Sequence, residues 1–414
     1  MNFKKTFFCL SLLTGMALTS CSDSEGNITV PVNFTVSVTM PSDGDFKSDI
    51  VYAGQEIQLV NGSTVVATAV TDDNGTATFQ NIIPEIYDLS TSWSISGSEY
   101  VQMVNEITEN TDVVISATKI GVVVATEGQE VVLEGLFSVK QSLLFSKVYY
   151  ATTKDNNNNK NYAADAYIEI FNNSDEVVYI DGIYLGMMDT FSGTADAYFA
   201  SEQSSTDYLY AKQIFRFPGS GTDYPVEPGK YILIANSAKN HLEESDTSVD
   251  LSGADFEAKN VTYVNNPDVP AIELLFTYTP LVVAINLGVG GPNSMVLFKT
   301  DENIDNWEEV PPYEKDYNVN QWLKMIPTST VIDGVEILKN ATTGVDTSQK
   351  RLFDFIDAGY THIEGVSGRT AELVCRKVAS EANGRYYLTD TNNSVNDFYL
   401  TTTSDIKPGE YGKE

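Results

Sequence analysis

Between Val30 and Met40 the chain reads "VPVNFTVSVTM". Val30, Val32, Phe34, Val36, Val38 and Met40 share one parity, and Pro31, Asn33, Thr35, Ser37 and Thr39 share the other. A repeat of two matches the alternation of side chains along an extended strand and conflicts with the 3.6-residue repeat of a helix. One apolar and one polar face mean a strand that lies on a core and turns its other side to water. The same texture recurs in "QEIQLVN", "TVVATAVT", "TATFQNI", "YDLSTSWSIS" and "TDVVISATK", with Asn61-Gly62, Asp73-Asn74-Gly75 and Ser96-Gly97 between them. Asn-Gly pairs reach the left-handed backbone conformations that tight turns need. Roughly seven short strands punctuated in this way predict a β-sandwich.

The chain is long enough for more than one such unit. At about 100–200 residues per domain, 414 residues predict two or three. With 42% apolar residues, 23 Tyr and 19 Phe, it has the material for β-rich cores. Its formal net charge is −32. A field of that sign repels phosphates, so no nucleic-acid partner is expected. The acidity is read as solubility of an exported protein rather than as a calcium store.

Export is written at the N-terminus. Lys4 and Lys5 precede the apolar run "TFFCLSLLTGMAL", which is too short to span a bilayer. Residues 1–20 therefore read as a signal peptide. The run ends in "LTSC", Leu18 to Cys21, which resembles a bacterial lipobox. The resemblance implies that Cys21 is acylated and becomes the mature N-terminus, with the membrane as its partner through the lipid. The bland alternative is an ordinary signal peptide with an incidental cysteine. Residues 21–28 form a polar tether, and "SDSEGN" within it resembles the acidic surface-export signal of Bacteroidetes lipoproteins. The expected location is the outer membrane, lipid-anchored and facing the cell surface, with the periplasmic face as the alternative. Cys9 leaves with the signal peptide and Cys21 carries lipid. Cys375 is then alone, and packing rather than a disulfide must hold the fold.

"TDDNGTATFQNI", Thr71 to Ile82, resembles a hairpin of prealbumin-like and carboxypeptidase-regulatory-like domains. The resemblance implies a first sandwich over residues 29–120. Asp72 and Asp73 could ligate calcium, but the turn alone accounts for them. Further on, four segments resemble a lamin-tail domain in the right order. They are "YIEIFNNSDEVVYIDGIYL", "FRFPGSGTDYPVEPGKYILIAN", "GGPNSMVLFKTDENIDNW", and "RTAELVCRKV" with "DTNNSVNDF" and "KPGEYG". This implies a second, Ig-like sandwich over residues 130–414, with insertions near 187–212 and 245–285. The whole arrangement is similar to a family of Bacteroidetes lipoproteins of unknown function, which brings no catalytic residue with it.

Four acids, Glu169, Asp175, Glu176 and Asp181, fall close together in the first of those segments. A glycosidase pair must face across a cleft at fixed separation, and nothing in this spacing forces that. Asp175 and Glu176 read as turn residues and Asp181 as part of a bend. Glu169 reads as a strand residue on the polar parity or a partner for a neighbouring Lys. The two histidines, His241 and His362, lack the companions a zinc site needs. His241 reads as a solvated loop residue. Cys375 with His362 could form a nucleophilic pair, but a strand-borne Cys is more often structural. "AIELLFTYTPLVVAINLGVGG" reads as two buried strands rather than a membrane helix, because Glu273 and Pro280 interrupt it. "DTNNSVND" lacks the glycine and terminal Glu of an EF-hand loop and reads as a capped turn. The Tyr and Trp content leaves room for carbohydrate stacking, although aromatics in a β protein are more often core or hairpin pairs. The expected protein is non-enzymatic, with no cofactor and no metal. It binds a ligand or partner, for example as an accessory to a TonB-dependent outer-membrane transporter. The alternatives are a secreted hydrolase with its site in the insertions, an adhesin, or a structural spacer.

Overall fold

The computed structural model describes residues 30–41, 46–48, 50–61, 64–105, 112–157, 159–190, 206–258, 266–279, 284–311, 321–382 and 384–412. The segments read as a signal peptide and a tether, with Cys21, lie outside them. The molecule is all-β, as the alternation predicts, with two short α-helices and four 3-10 turns among the described residues.

The first sandwich packs a three-stranded sheet on a five-stranded one. In the smaller sheet Val32–Thr39 lies between Thr76–Ile82 and Gln129–Glu134. The larger runs in the order Thr64–Val70, Glu56–Asn61, Glu85–Ile95, Val113–Val124, Leu136–Val139. Val32, Phe34 and Val36 point inward, on the parity read from the sequence, and Phe34 stacks on Phe79 with centroids 5.0 Å apart. The "TDDNG" turn is closed by Asp72, whose carboxylate accepts from the amides of Asn74 (2.9 Å) and Thr76 (3.0 Å). Gly75 takes a positive φ of 74°. The turn is not a hairpin, however. It passes from Thr64–Val70 in one sheet to Thr76–Ile82 in the other.

The boundary of this unit also lies later than the sequence suggested. Gln129–Glu134 pairs parallel to Val32–Thr39, and Leu136–Val139 pairs with Val113–Ser116. Val131 and Leu133 fill the first core. Residues up to 139 therefore belong to the first sandwich.

The second unit is built on a 13-stranded sheet that curls on itself, with four two-stranded ribbons beside it among the described residues. Its main path runs Val331–Val335, Met295–Phe298, Tyr184–Met188, Tyr208–Arg216, Ala271–Thr277, Phe256–Ala258, Tyr231–Ala235, Tyr167–Asn172, Leu143–Tyr149, Glu372–Arg376, Phe398–Thr402. Residues from both ends of this path, such as Leu297, Val335, Val374 and Phe398, meet in a single core. Facing halves of one sheet thus make the sandwich. The Phe145 amide donates to the Asp333 carboxylate (2.6 Å), which ties one end strand of the path to a strand near the other end.

Two stretches expected as insertions prove to be partly framework. Phe256–Ala258 and Ala271–Thr277 pair in parallel and join the two halves of the sheet. Residues 208–212 belong to the strand beside Tyr184–Met188. Of the two buried strands expected from "AIELLFTYTPLVVAINLGVGG", Ala271–Thr277 is a strand, mostly half-buried, and the second falls partly outside the described residues, its described part 284–289 not being a strand. Ala284 and Ile285 reach the interior without strand pairing. No helix of the described residues is long and apolar enough to cross a membrane.

Candidate functional site

The four clustered acids separate in space. Asp175 and Glu176 lie in an exposed turn, as expected, and Asp175 meets Arg385 and the Tyr387 hydroxyl. Glu169 is fully buried, so the polar-parity reading does not hold. It faces Lys147 on the neighbouring strand, in register, with Nζ 2.6 Å from Oε1. Ser146 and Tyr411 donate hydroxyls to the same oxygen, and the Gly409 amide donates to the other (2.7 Å). The partner-for-Lys reading is the one realised.

Asp181 does something the sequence did not suggest. Its carboxylate accepts from the amides of Gly221 (3.1 Å), Asp223 (2.8 Å) and Tyr224 (2.8 Å). Burial pushes its pKa up, but the three amides outweigh that and hold it below the ordinary Asp value. Gly219 is pressed against it with φ at 118°, and a Cβ there would stand 2.0 Å from Oδ1. The acid therefore pins the Gly219–Tyr224 loop to the Ile180–Ile183 bend.

The pinned loop forms one wall of an open cleft of about 740 Å³. Arg216, at the end of strand Tyr208–Arg216, and Lys299, just after strand Met295–Phe298, both line it. Tyr184 pairs with Arg216 on one side and Phe298 on the other, so the two cations rise from strands two apart in the sheet. Both are exposed, and neither meets a carboxylate among the described residues. Tyr179, 39% exposed, and Asp301 complete the rim.

A second polar centre is closed to solvent. Arg376, in the "LVCRK" strand, reaches Asp397 (3.2 Å), Asp333 (3.4 Å) and Asp390 (3.4 Å). It also donates to the carbonyls of Phe145 (2.6 Å) and Thr389 (3.0 Å). Burial raises all three carboxyls, Asp397 to about 7, against the pull of the guanidinium. Asp397 also accepts from the amide and hydroxyl of Thr391, and Asn393 caps the short helix Ser394–Asp397. "DTNNSVND" is the capped turn it was read as. The signal for the centre was present in two pieces, an Arg inside an apolar strand and two Asp residues in the turn. Only the fold joins them and adds Asp333.

His241 is buried, contrary to expectation. The Ser237 carbonyl can only accept, so Nε2 carries the proton (2.7 Å) and Nδ1 accepts from the Tyr162 hydroxyl (2.6 Å). Burial lowers its pKa to about 4. Cys375 is buried and its thiol is raised by burial, the opposite of an activated nucleophile. Its Sγ faces the Arg376 carbonyl, whereas His362 bonds to the Ile363 carbonyl, and the structure does not bring the two together as a pair. Among the described residues no group of three His, Cys, Asp or Glu side chains is placed to hold a metal.

The profile of a family described as "Protein of unknown function (DUF4876)" matches residues 227–405. That span takes in the Arg376 centre and most of the second sandwich. A crystal structure of a DUF4876 family protein from Bacteroides thetaiotaomicron VPI-5482 is similar at 22% identity with a TM-score of 0.57. The match covers 89% of this chain and 95% of that one, and it establishes likeness of fold alone. A DUF3823 family protein from Parabacteroides merdae ATCC 43184 matches at 13% identity over 46% of this chain and 92% of that one, with a TM-score of 0.15. A streptococcal ancillary pilin matches at 14% over 60% and 63%, also at 0.15. Overlaps so low carry no argument. No curated protein matches the chain.

Proposed function

We propose that the chain is a non-enzymatic protein held by acyl chains on Cys21 at the outer membrane, its sandwiches at the cell surface, where it binds a ligand or a protein partner. On the motifs quoted above, we read the first sandwich as carboxypeptidase-regulatory-like and the second as lamin-tail-like. The observation that carries the binding part is the cleft. A loop fixed by three amide-to-carboxylate bonds is preorganised, and preorganisation reduces the ordering cost of binding. The acids that might have served as an acid/base pair are instead committed to backbone amides and to Lys147. The anchor rests on "LTSC" and the apolar run before it. A TonB-dependent transporter in the same membrane is the protein partner we favour.

Two experiments test this. Cys21→Ala is expected to move the protein from the membrane fraction to the soluble one, and unchanged retention would remove the lipid anchor from the reading. Mild detergent extraction with a C-terminal tag is expected to recover one β-barrel transporter in stoichiometric amount. Recovery of the chain alone would leave a free-standing binder and refute the accessory role.

A further inference from the structure

We infer that the Arg216–Lys299 cleft binds an acidic saccharide, one or two sugar rings bearing a carboxylate. This rests on the ligand-binding reading above and names the ligand class.

The chain has 57 acids and 25 Lys and Arg residues, so a surface cation has many carboxylates available to it. Arg216 and Lys299 nevertheless line one cleft and pair with none of the described ones. Asp181, in the same wall, has its charge taken up by three amides. The Arg216 guanidinium lies 3.5 Å from where a Cβ on Gly182 would be, and 5.6 Å from the Tyr184 ring centroid. It therefore lies beside Gly182, next to the pinned bend, and near the Tyr184 ring. Neighbouring strands lie about 4.8 Å apart, so the two bases rise about 10 Å apart, near enough for both charges to act on one anion in the cleft they line. A planar guanidinium grips a carboxylate through two parallel bonds.

The remaining surface selects the body of the ligand. Tyr179 offers a half-exposed ring for the apolar face of a sugar, and Ser220, Thr300 and Asp301 offer acceptors and donors for its hydroxyls. A cleft of about 740 Å³ is of ligand-site size and exceeds the needs of a bare ion.

The test is isothermal titration of the full chain in detergent with three probes: cellobiouronic acid, cellobiose and inorganic sulfate. Cellobiouronic acid and cellobiose differ in a single carboxylate. The acid is expected to bind at least about tenfold more tightly than either other probe, and to weaken as salt is raised. Arg216→Gln and Lys299→Gln should each weaken it about fivefold or more, with thermal unfolding unchanged, and Arg216→Lys should recover part of the loss. No heat from the acid on a folded chain, equal affinity for all three probes, tightest binding by sulfate, or undiminished binding by the double variant would overturn the inference. Such a failure leaves the anchor and a different ligand standing. A Cys21→Ala protein that stays in the membrane while the cleft still binds would instead remove the anchor alone.

Discussion

Arg376 sets one positive charge among three buried carboxylates, and a single change there exposes how the centre is balanced. Arg376→Gln removes the cation and leaves Asp333, Asp390 and Asp397 without it. Breaking a buried ion pair from one side costs about 3–5 kcal/mol. The cost should depend on pH. Burial raises Asp397 to about 7 in the fold, against about 3.9 unfolded. A carboxyl raised in this way contributes stability fully below its unfolded pKa and loses it as pH rises through 7. Protonated carboxyls need no cation, so urea unfolding should show a clearly smaller deficit for Arg376→Gln at pH 5 than at pH 8. Equal deficits at the two pH values would refute a charge-based role. Asp181 obeys the opposite sign. Its folded pKa is depressed, so its contribution is present above the unfolded pKa and fades as pH falls through the folded one. Asp181→Ala strands three amides at the cleft wall, and about 1–3 kcal/mol should be lost at pH 7. Calorimetry showing no change in Tm would mean that water replaces the carboxylate at no cost. Neither residue was legible beforehand in its role. A lone charge in a strand or a bend looks the same in sequence whether it is solvated, paired or pinning a loop.

At the scale of elements, sequence served well where one strand face was apolar and poorly where both were covered. Val32–Thr39 declares its parity because Thr35, Ser37 and Thr39 face outward while Phe34 and Val36 fill the core. Tyr167–Asn172 is buried at all six positions, so its alternation of Glu169 with Ile168 and Ile170 carries no inside–outside meaning. Ala271–Thr277 was legible as a strand but not as the bridge between the halves of the sheet, because parallel pairing leaves no turn signal. Inside this covered sheet, Lys147 and Glu169 sit directly opposite each other, and Lys147 also lies 3.7 Å from the Tyr411 ring centroid. Lys147→Met alone leaves Glu169 buried without its cation and should cost about 3–5 kcal/mol. Lys147→Met combined with Glu169→Gln should restore most of that loss, since neither group then needs a counter-charge. A double-mutant cycle by denaturant unfolding checks this, and additive losses would show that the two side chains do not act as a pair.

The whole molecule depends on how the two sandwiches meet, and a set of side-chain hydrogen bonds joins them there. Asn393 donates to Ser90 (2.6 Å) and Thr118 (3.0 Å), and Asn396 donates to Ser90 (3.3 Å) and Ser92 (3.2 Å). The Tyr360 hydroxyl donates to Asp88 (3.4 Å). Both asparagines stand on the turn whose end, Asp397, is held by Arg376. The buried charge centre thus braces the surface that docks the first sandwich. Ser90 is the place to cut this link. It is 1% exposed and receives both asparagines, yet it takes no part in the cap, where the Asn393 oxygen accepts from the Val395 amide (3.1 Å). Ser90→Ala should therefore leave each sandwich intact and weaken only their docking, by about 1–2 kcal/mol for the lost and stranded partners. Inter-domain contacts of this polar kind allow relative motion by default. If they couple the two units, the parent should unfold in a single calorimetric transition and Ser90→Ala in a broadened or split one, with the first sandwich melting at the lower temperature. A transition that stays single and merely shifts would place the coupling elsewhere, in the covalent passage from strand Leu136–Val139 to strand Leu143–Tyr149.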